Sequence, residues 1–372
     1  MADVFYYSQA SGDNDGSSEA NAFTAIQTAL NSLSAGDHLY CKRHSSREGN
    51  KTTNLTLTTD SETTDGNTTI EGYATTPGDG GMYQTHSPIS FVGDGITIKY
   101  MDVDADGDGS HAIKLTGDGS LAYRCISVNS YAFGNSMHVQ DGAAVECYIK
   151  GRVTDANNNV LKCNRAQAIN CVVVIASDYG ANGEAIAVIA GFRINMVVGC
   201  LVINEDTDGP QNHAGIKMTG TSPSYQLIAN NTVTNMDIGI EQDNGPPGNL
   251  SVPTIIYGNI CYSVATGIKN NQTNNAINFG LIAICNAFGA ITTAQTTNMA
   301  SVIDSITLTE SPFIDTTNFQ LNNAPGGGAL LKGKLGQGSR FDPSLLSTDP
   351  RIDFPTHGGI IPNPVGEVSR SF

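Results

Sequence analysis

Apolar and polar residues alternate along most of this chain in short bursts, and the bursts recur. The segments IKYMDV, AYRCISV, AVECYIK, AINCVVV, VVGCLVI, IANNTVT and IYGNICY superpose on one another. One column holds Met101, Cys125, Cys147, Cys171, Cys200, Asn231 and Asn259, at steps of 22 to 31 residues. Two places on, Val103, Ser127, Ile149, Val173, Val202, Val233 and Cys261 form a mostly apolar column, as strand alternation requires. A second family of segments follows each of the first. It shares the column Ile113, Met137, Leu161, Ile186, Ile216, Ile240 and Ile268, at steps of 24 to 30 residues. Two columns advancing together mark an internal repeat whose length varies in loops outside them.

A repeat of this length, built from short strands without a helix in each unit, predicts a β-solenoid. Each repeat is one coil, and equivalent residues stack at the strand spacing of ~4.8 Å. The L-x-x-L-x-L spacing of leucine-rich repeats is missing, and propeller blades would be longer. Within a solenoid the cysteine column reads as a core ladder of buried thiols, because parallel side chains on one sheet are poorly aimed for disulfides. Asn231 and Asn259 then continue that column as stacked amides.

The recurring N-N-T-V and G-N-I-C segments, each followed by G-I-x-x, resemble the coils of the right-handed parallel β-helices of the pectin-lyase-like superfamily. So does the opening, SGDNDGSSEANAFTAIQTALNSLSAGDHLYCK, which in that family lays a short helix over the end of the solenoid. Here Phe23, Ile26, Leu30 and Leu33 have the matching helical spacing. The resemblance implies a single all-β right-handed β-helix spanning roughly residues 3–290. It divides the chain into an N-terminal strand and capping helix (1–40), the β-helix (41–290), and an irregular C-terminal cap and extended tail (291–372). The fold hosts lyases, hydrolases, epimerases, adhesins and virion proteins, so it does not choose a function.

The segment SITLTESPFIDTTNFQLNNAPGGGALLKGKLGQGSRF resembles the "S-P-F-x-D…N-F-x-L-N…G-G-A-L" ending of phage-encoded β-helix proteins. Beyond it, Pro343, Pro350, Pro355, Pro362 and Pro364 interrupt any regular element. Such a tail either lies along the solenoid or reaches a neighbouring subunit, where Ile352, Phe354, Ile360 and Ile361 would be buried.

Composition narrows the partners. The chain has 372 residues, 15% charged, with 41 Gly and no Trp. A net charge of -16 argues against wholesale binding to nucleic acid or anionic membrane. No basic-then-apolar leader opens the chain, and no apolar run approaches ~18 residues, so a soluble product made in a cytoplasm is expected. The eight cysteines show no C-x-x-C spacing for zinc.

Candidate chemistry is sparse. Glu184, Glu205, Asp206, Asp208, Glu241 and Asp243 come from three successive coils, with His213 nearby. Adjacent coils can hold two carboxyls at glycosidase separations, ~5 Å or ~6.5–9.5 Å, yet acidic loops are expected in any chain this negative. Polysaccharide lyases of the superfamily combine calcium-binding acids with a basic residue that abstracts a proton. Arg124 and Arg193 are the candidates for that base, or plain surface arginines. Tyr100, Tyr123, Tyr148 and Tyr262 would have to supply any sugar-stacking platform. G-x-S-x-G and phosphate-loop motifs are absent.

Outward of the second core column run Lys114, His138, Lys162, Ala187, Lys217, Glu241 and Lys269. This basic stripe suits an acidic partner, such as a capsid surface or an anionic glycan, or is a solvated sheet face. MDVDADGDGSHAI places Asp102, Asp104, Asp106 and Asp108 in one coil turn, a candidate partial calcium site. A complete EF-hand is excluded, because the twelfth place from Asp102 is Ile113, which the core needs. The combined expectation is a structural component of a tailed-phage virion. It would be a capsid-attached decoration, spike or fibre-like protein that contacts capsid or other virion proteins and self-associates. Alternatives are a phage tailspike-type glycosidase or lyase, and a bacterial surface-binding β-helix.

Overall fold

The computed structural model describes residues 2–49, 53–58, 68–105, 111–129, 134–153, 159–176, 183–189, 195–205, 213–219, 226–243, 254–271, 281–295, 301–315 and 319–334. Every strand pairing between successive coils is parallel, and the strands fall into three stacks. Sheet 1 has 12 strands, from Asp3–Tyr6 to Ser301–Ile303. The other 18 strands form sheet 2, ending at Ile306–Leu308, and sheet 3, beginning at Leu55–Thr58. Sheets 2 and 3 are joined because Thr232–Asp243 and Ile260–Asn270 each run through both. One coil visits sheets 1, 2 and 3 in turn, so the chain is an all-β parallel β-helix. Stacking strands extend to both sides of residues 41–290: Asp3–Tyr6 pairs with His38–Lys42, and Ala287–Gly289 with Ile306–Leu308.

The predicted columns are the observed register. Val103, Ser127, Ile149, Val173, Val202, Val233 and Cys261 face one another on sheet 2. Ile113 through Ile268 do so on sheet 3. Nearly all are fully buried, in one continuous core. Each buried aliphatic chain contributes on the order of 1.5–3 kcal/mol.

The corner from sheet 1 to sheet 2 is made by two residues. The first is left-handed: Arg124 (φ 50°), Glu146 (53°), Asn170 (52°), Gly199 (68°), Asn230 (57°) and Gly258 (65°) occupy it in successive coils. The second turns inward and is the Cys/Asn column. The G-I in each G-I-x-x segment lies near the start of sheet 3. There the residue before the isoleucine also faces inward, beside a sheet 2 side chain. A Cβ added to Gly239 would lie 2.7 Å from Cys261 Sγ, so glycine is required by space. From sheet 2 to sheet 3, Asn235 (φ 59°), Ser263 (56°) and Ala290 (51°) turn the last coils sharply, where earlier coils carry longer connections.

Of the stretch 23–33, only Ile26–Asn31 (α1) is helical. Phe23 instead bridges to Tyr6 in parallel register. Ala29 and Leu30 are buried in the main core, with Phe23, Ile26 and Leu33 packed against it. The C-terminal segment folds back over the outside of sheet 2. Phe313 bridges antiparallel to Leu321, and Leu331 of a second helix, α2 (Gly328–Lys334), is fully buried. Phe313 and Leu331 cluster with Ile260, Ala287 and Leu308, while Phe319 reaches Val172, Val174 and Leu201. Residues 335–372, with Ile352, Phe354, Ile360 and Ile361, lie outside the described residues. Among the described residues no helix is long and apolar enough to cross a membrane.

Candidate functional site

Among the described residues, the outer face of sheet 3 gathers the densest set of charges. The register sets Lys217 beside Glu241, and Glu241 beside Lys269. Lys217 Nζ lies 2.9 Å from Glu184 Oε1, 3.5 Å from Asp243 Oδ2 and 3.9 Å from Glu241 Oε2. Lys269 Nζ lies 3.1 Å from Glu241 Oε1, which also accepts from Asn271 Nδ2 at 2.5 Å. Glu184 and Glu241 are buried although they sit outside the coil. Burial pushes the Glu184 carboxyl above its ordinary value, against the pull of the Lys217 ammonium. For Lys217, burial works against the charge, but Glu184, then Glu241 and Asp243, raise its pKa overall. These acids therefore hold two lysines in a neutralised ladder along the solenoid axis.

The other predicted residues scatter. Glu205 is exposed and pairs with Lys150 at 2.6 Å. His213 is buried with its Nδ1 at Gly183 and, among the described residues, its Nε2 has no hydrogen-bond partner. Asp206, Asp208 and Arg193 lie outside the described residues. Arg124 is a left-handed turn residue that donates to Glu146 Oε2 at 2.6 Å and lies over the Tyr123 ring. Tyr100 and Tyr123 pair edge to face, whereas Tyr262 packs against Phe313 under the C-terminal segment.

Alternation does direct Asp102 and Asp104 away from the core, but Asp102 is buried, not solvated. Arg47 Nη2 donates to both Asp102 carboxylate oxygens at 2.7 Å, and Gln84 Nε2 adds a bond at 3.0 Å. Arg47 Nε lies 4.0 Å from Asp104 Oδ2. The cation that relieves this acidic pair is thus a guanidinium supplied from 55 residues upstream. Asp106 and Asp108 lie outside the described residues. Among the described residues no three His, Cys, Asp or Glu side chains gather as a metal site. A calcium ion using Asp102 would have to displace Arg47. The sequence offers no signal for Arg47 in this role, because its coil belongs to the irregular first part of the repeat.

No protein-family model matches the chain, and no curated protein is similar to it in sequence. Solved structures are similar in fold. Pectate lyase Pel9A is 12% identical, covers 98% of this chain and 88% of its own, and gives a TM-score of 0.47. A rhamnogalacturonan lyase is 12% identical over 97% of this chain and 100% of its own, with a TM-score of 0.45. A pectin methylesterase from Aspergillus niger is 12% identical over 70% of this chain and 85% of its own, with a TM-score of 0.40.

Proposed function

We propose that this parallel β-helix is a structural component of a tailed-phage particle, a capsid-attached decoration, spike or fibre-like protein. The observation that carries the reading is the fold-back of the closing segment. The residues that resemble phage-type β-helix endings, Ser311-Pro312-Phe313 and Phe319-Gln320-Leu321-Asn322, lock onto the outer face of sheet 2. Asn322 secures them by donating to the Ser311 and Phe313 carbonyls and accepting from the Ala324 and Gly328 amides. The charged outer face of sheet 3 fits a structural role, since its buried acids are spent on lysines.

Self-association belongs to the same reading, with a second copy on the outer face of sheet 1. There Val145, Ile169, Val198, Ala229, Tyr257, Ile284 and Ile303 stand in one register. They make an apolar strip roughly 29 Å long at the strand spacing. Ile255 beside it is 41% exposed and Ile303 44%. Mass spectrometry of purified particles should detect the protein, and sedimentation should show an oligomer that Ile255→Lys dissolves. Absence from the particles overturns the assignment.

The second reading is a polysaccharide-degrading tailspike, favoured by the closeness of Glu184 and Glu241 to one lysine. Glycan depolymerisation abolished by Glu241→Gln in a protein of unchanged melting temperature would establish it.

A further inference from the structure

The upper part of the sheet 3 stripe behaves unlike the lower part. Lys114, His138 and Lys162 stand in register on three successive strands. Among the described residues neither lysine has an acidic partner, whereas Lys217 and Lys269 are both neutralised. His138, between them, is 9% exposed, and among the described residues neither of its ring nitrogens has a hydrogen-bond partner. His111 packs against it edge to face, with ring centroids 5.2 Å apart. The Asn135 backbone N–H donates to His111 Nδ1 at 3.3 Å, so that nitrogen carries no proton and the donor is Nε2–H.

A buried polar group without a partner is costly, and two like charges flanking it add repulsion. An anion removes both penalties, since ammonium groups and an imidazole N–H all donate. A metal cation could take an imidazole nitrogen but would add positive charge beside two ammonium groups. Burial, together with the neighbouring lysines, holds His111 at about 4 and His138 at about 3, with His111 adding to the effect on His138. Both rings are therefore neutral in the empty protein, and the lysines supply the charge.

We propose that Lys114, His138 and Lys162, backed by His111, bind a single oxyanion group: a carboxylate, sulfate or phosphate. Lysine stems on strands two steps apart start ~10 Å from each other, close enough for both to reach one group held over the imidazole between them. The site stands independently of the virion assignment.

The test is imidazole NMR of the full chain titrated with sulfate, phosphate and glucuronate, with glucose as the neutral control. Saturable shifts of the His111 and His138 signals with at least one anion, and none with glucose, are expected. Preference for glucuronate identifies a carboxylate on a sugar as the source, and preference for sulfate or phosphate identifies the ester or free ion. Lys114→Gln and Lys162→Gln should each weaken binding roughly tenfold, the worth of one charge-assisted hydrogen bond. Both lysines point outward, so the melting temperature should hold. The proposal is overturned if no anion gives saturable shifts up to about 0.15 M ionic strength. Binding that survives both substitutions also overturns it, as does tighter 1:1 binding of Zn²⁺ by the two histidines.

Discussion

The corner column between sheets 1 and 2 is built in two chemistries. In its upper half Cys147, Cys171 and Cys200 each direct Sγ at a carbonyl of the preceding coil, 3.4–3.6 Å away. In its lower half Asn231, Asn259 and Asn286 make a bonded amide ladder. Asn231 Nδ2 donates to Asn259 Oδ1 at 2.9 Å, and Asn259 Nδ2 to Asn286 Oδ1 at 2.9 Å. Each amide oxygen also takes the backbone N–H one coil up: Cys200, Asn231 and Asn259 in turn. Asn231 and Asn259 Nδ2 each add a second bond to a sheet 1 carbonyl, and Asn286 Nδ2, at the end of the run, makes the same carbonyl bond. Thiols tolerate weak partners because they bury as small hydrophobes. Amides need a strong partner for each polar atom, so asparagine is best satisfied here inside a run.

That contrast can be broken by substitution. Asn259→Leu removes the middle rung, strands the Asn231 N–H and Nδ2 donors, and takes a donor from Asn286 Oδ1 and from the Ile228 carbonyl, so about 3–5 kcal/mol of stability should be lost. Urea unfolding would show it; a midpoint shift no larger than that of a cysteine deletion would erase the distinction. Cys147→Asn leaves one Nδ2–H of the new amide unbonded, since Cys171 in the next coil offers no amide oxygen, at a cost of about 2–3 kcal/mol. Cys171→Ala leaves only a small void and should cost about 1–2 kcal/mol. Cys200→Asn sharpens the comparison most, since it extends the ladder onto Asn231 and should change stability by less than about 1 kcal/mol. If Cys200→Asn is as damaging as Cys147→Asn, continuity of the run is not what matters.

The smallest effect concerns pH. Burial pushes the thiols of Cys147, Cys200 and Cys163 up, and Cys261 up to about 12. An acid whose folded pKa is raised supports folding below its unfolded value, ~8.5, and withdraws that support above it, because the unfolded chain ionises first. Stability should be flat from pH 6 to 8 and decline above ~8.5. Cys171→Ala should leave that decline in place, and replacing the four raised cysteines by alanine should reduce it. Alkylation of the native protein should begin at Cys285, the one cysteine that is not fully buried.

The columns were legible because a solenoid returns equivalent residues to one place, so a spacing in sequence becomes a neighbour in space. Met101 to Asn259 and Ile113 to Ile268 could be aligned without knowing the loops, and even the change from Cys to Asn kept its meaning. What crosses between coils by side-chain reach alone was not legible. Nothing in MDVDADGDGSHAI names Arg47, and nothing in the lysine stripe separates Lys114 from Lys217 until their neighbours are seen. Nor did the pattern of 23–33 show that Phe23 would pair as a strand residue. There the helical spacing competes with a free edge beside Tyr6, and the backbone bonds prevailed.

The left-handed residues at Asn235, Ser263 and Ala290 carry one more consequence. They show that the passage from sheet 2 to sheet 3 needs a single residue, so the longer connections of earlier coils are additions to a complete frame. The molecule is in this sense a spine with removable ornaments. Its length is set by the number of coils, and the number of residues between sheets 2 and 3 can change from coil to coil while the register of the stack is kept.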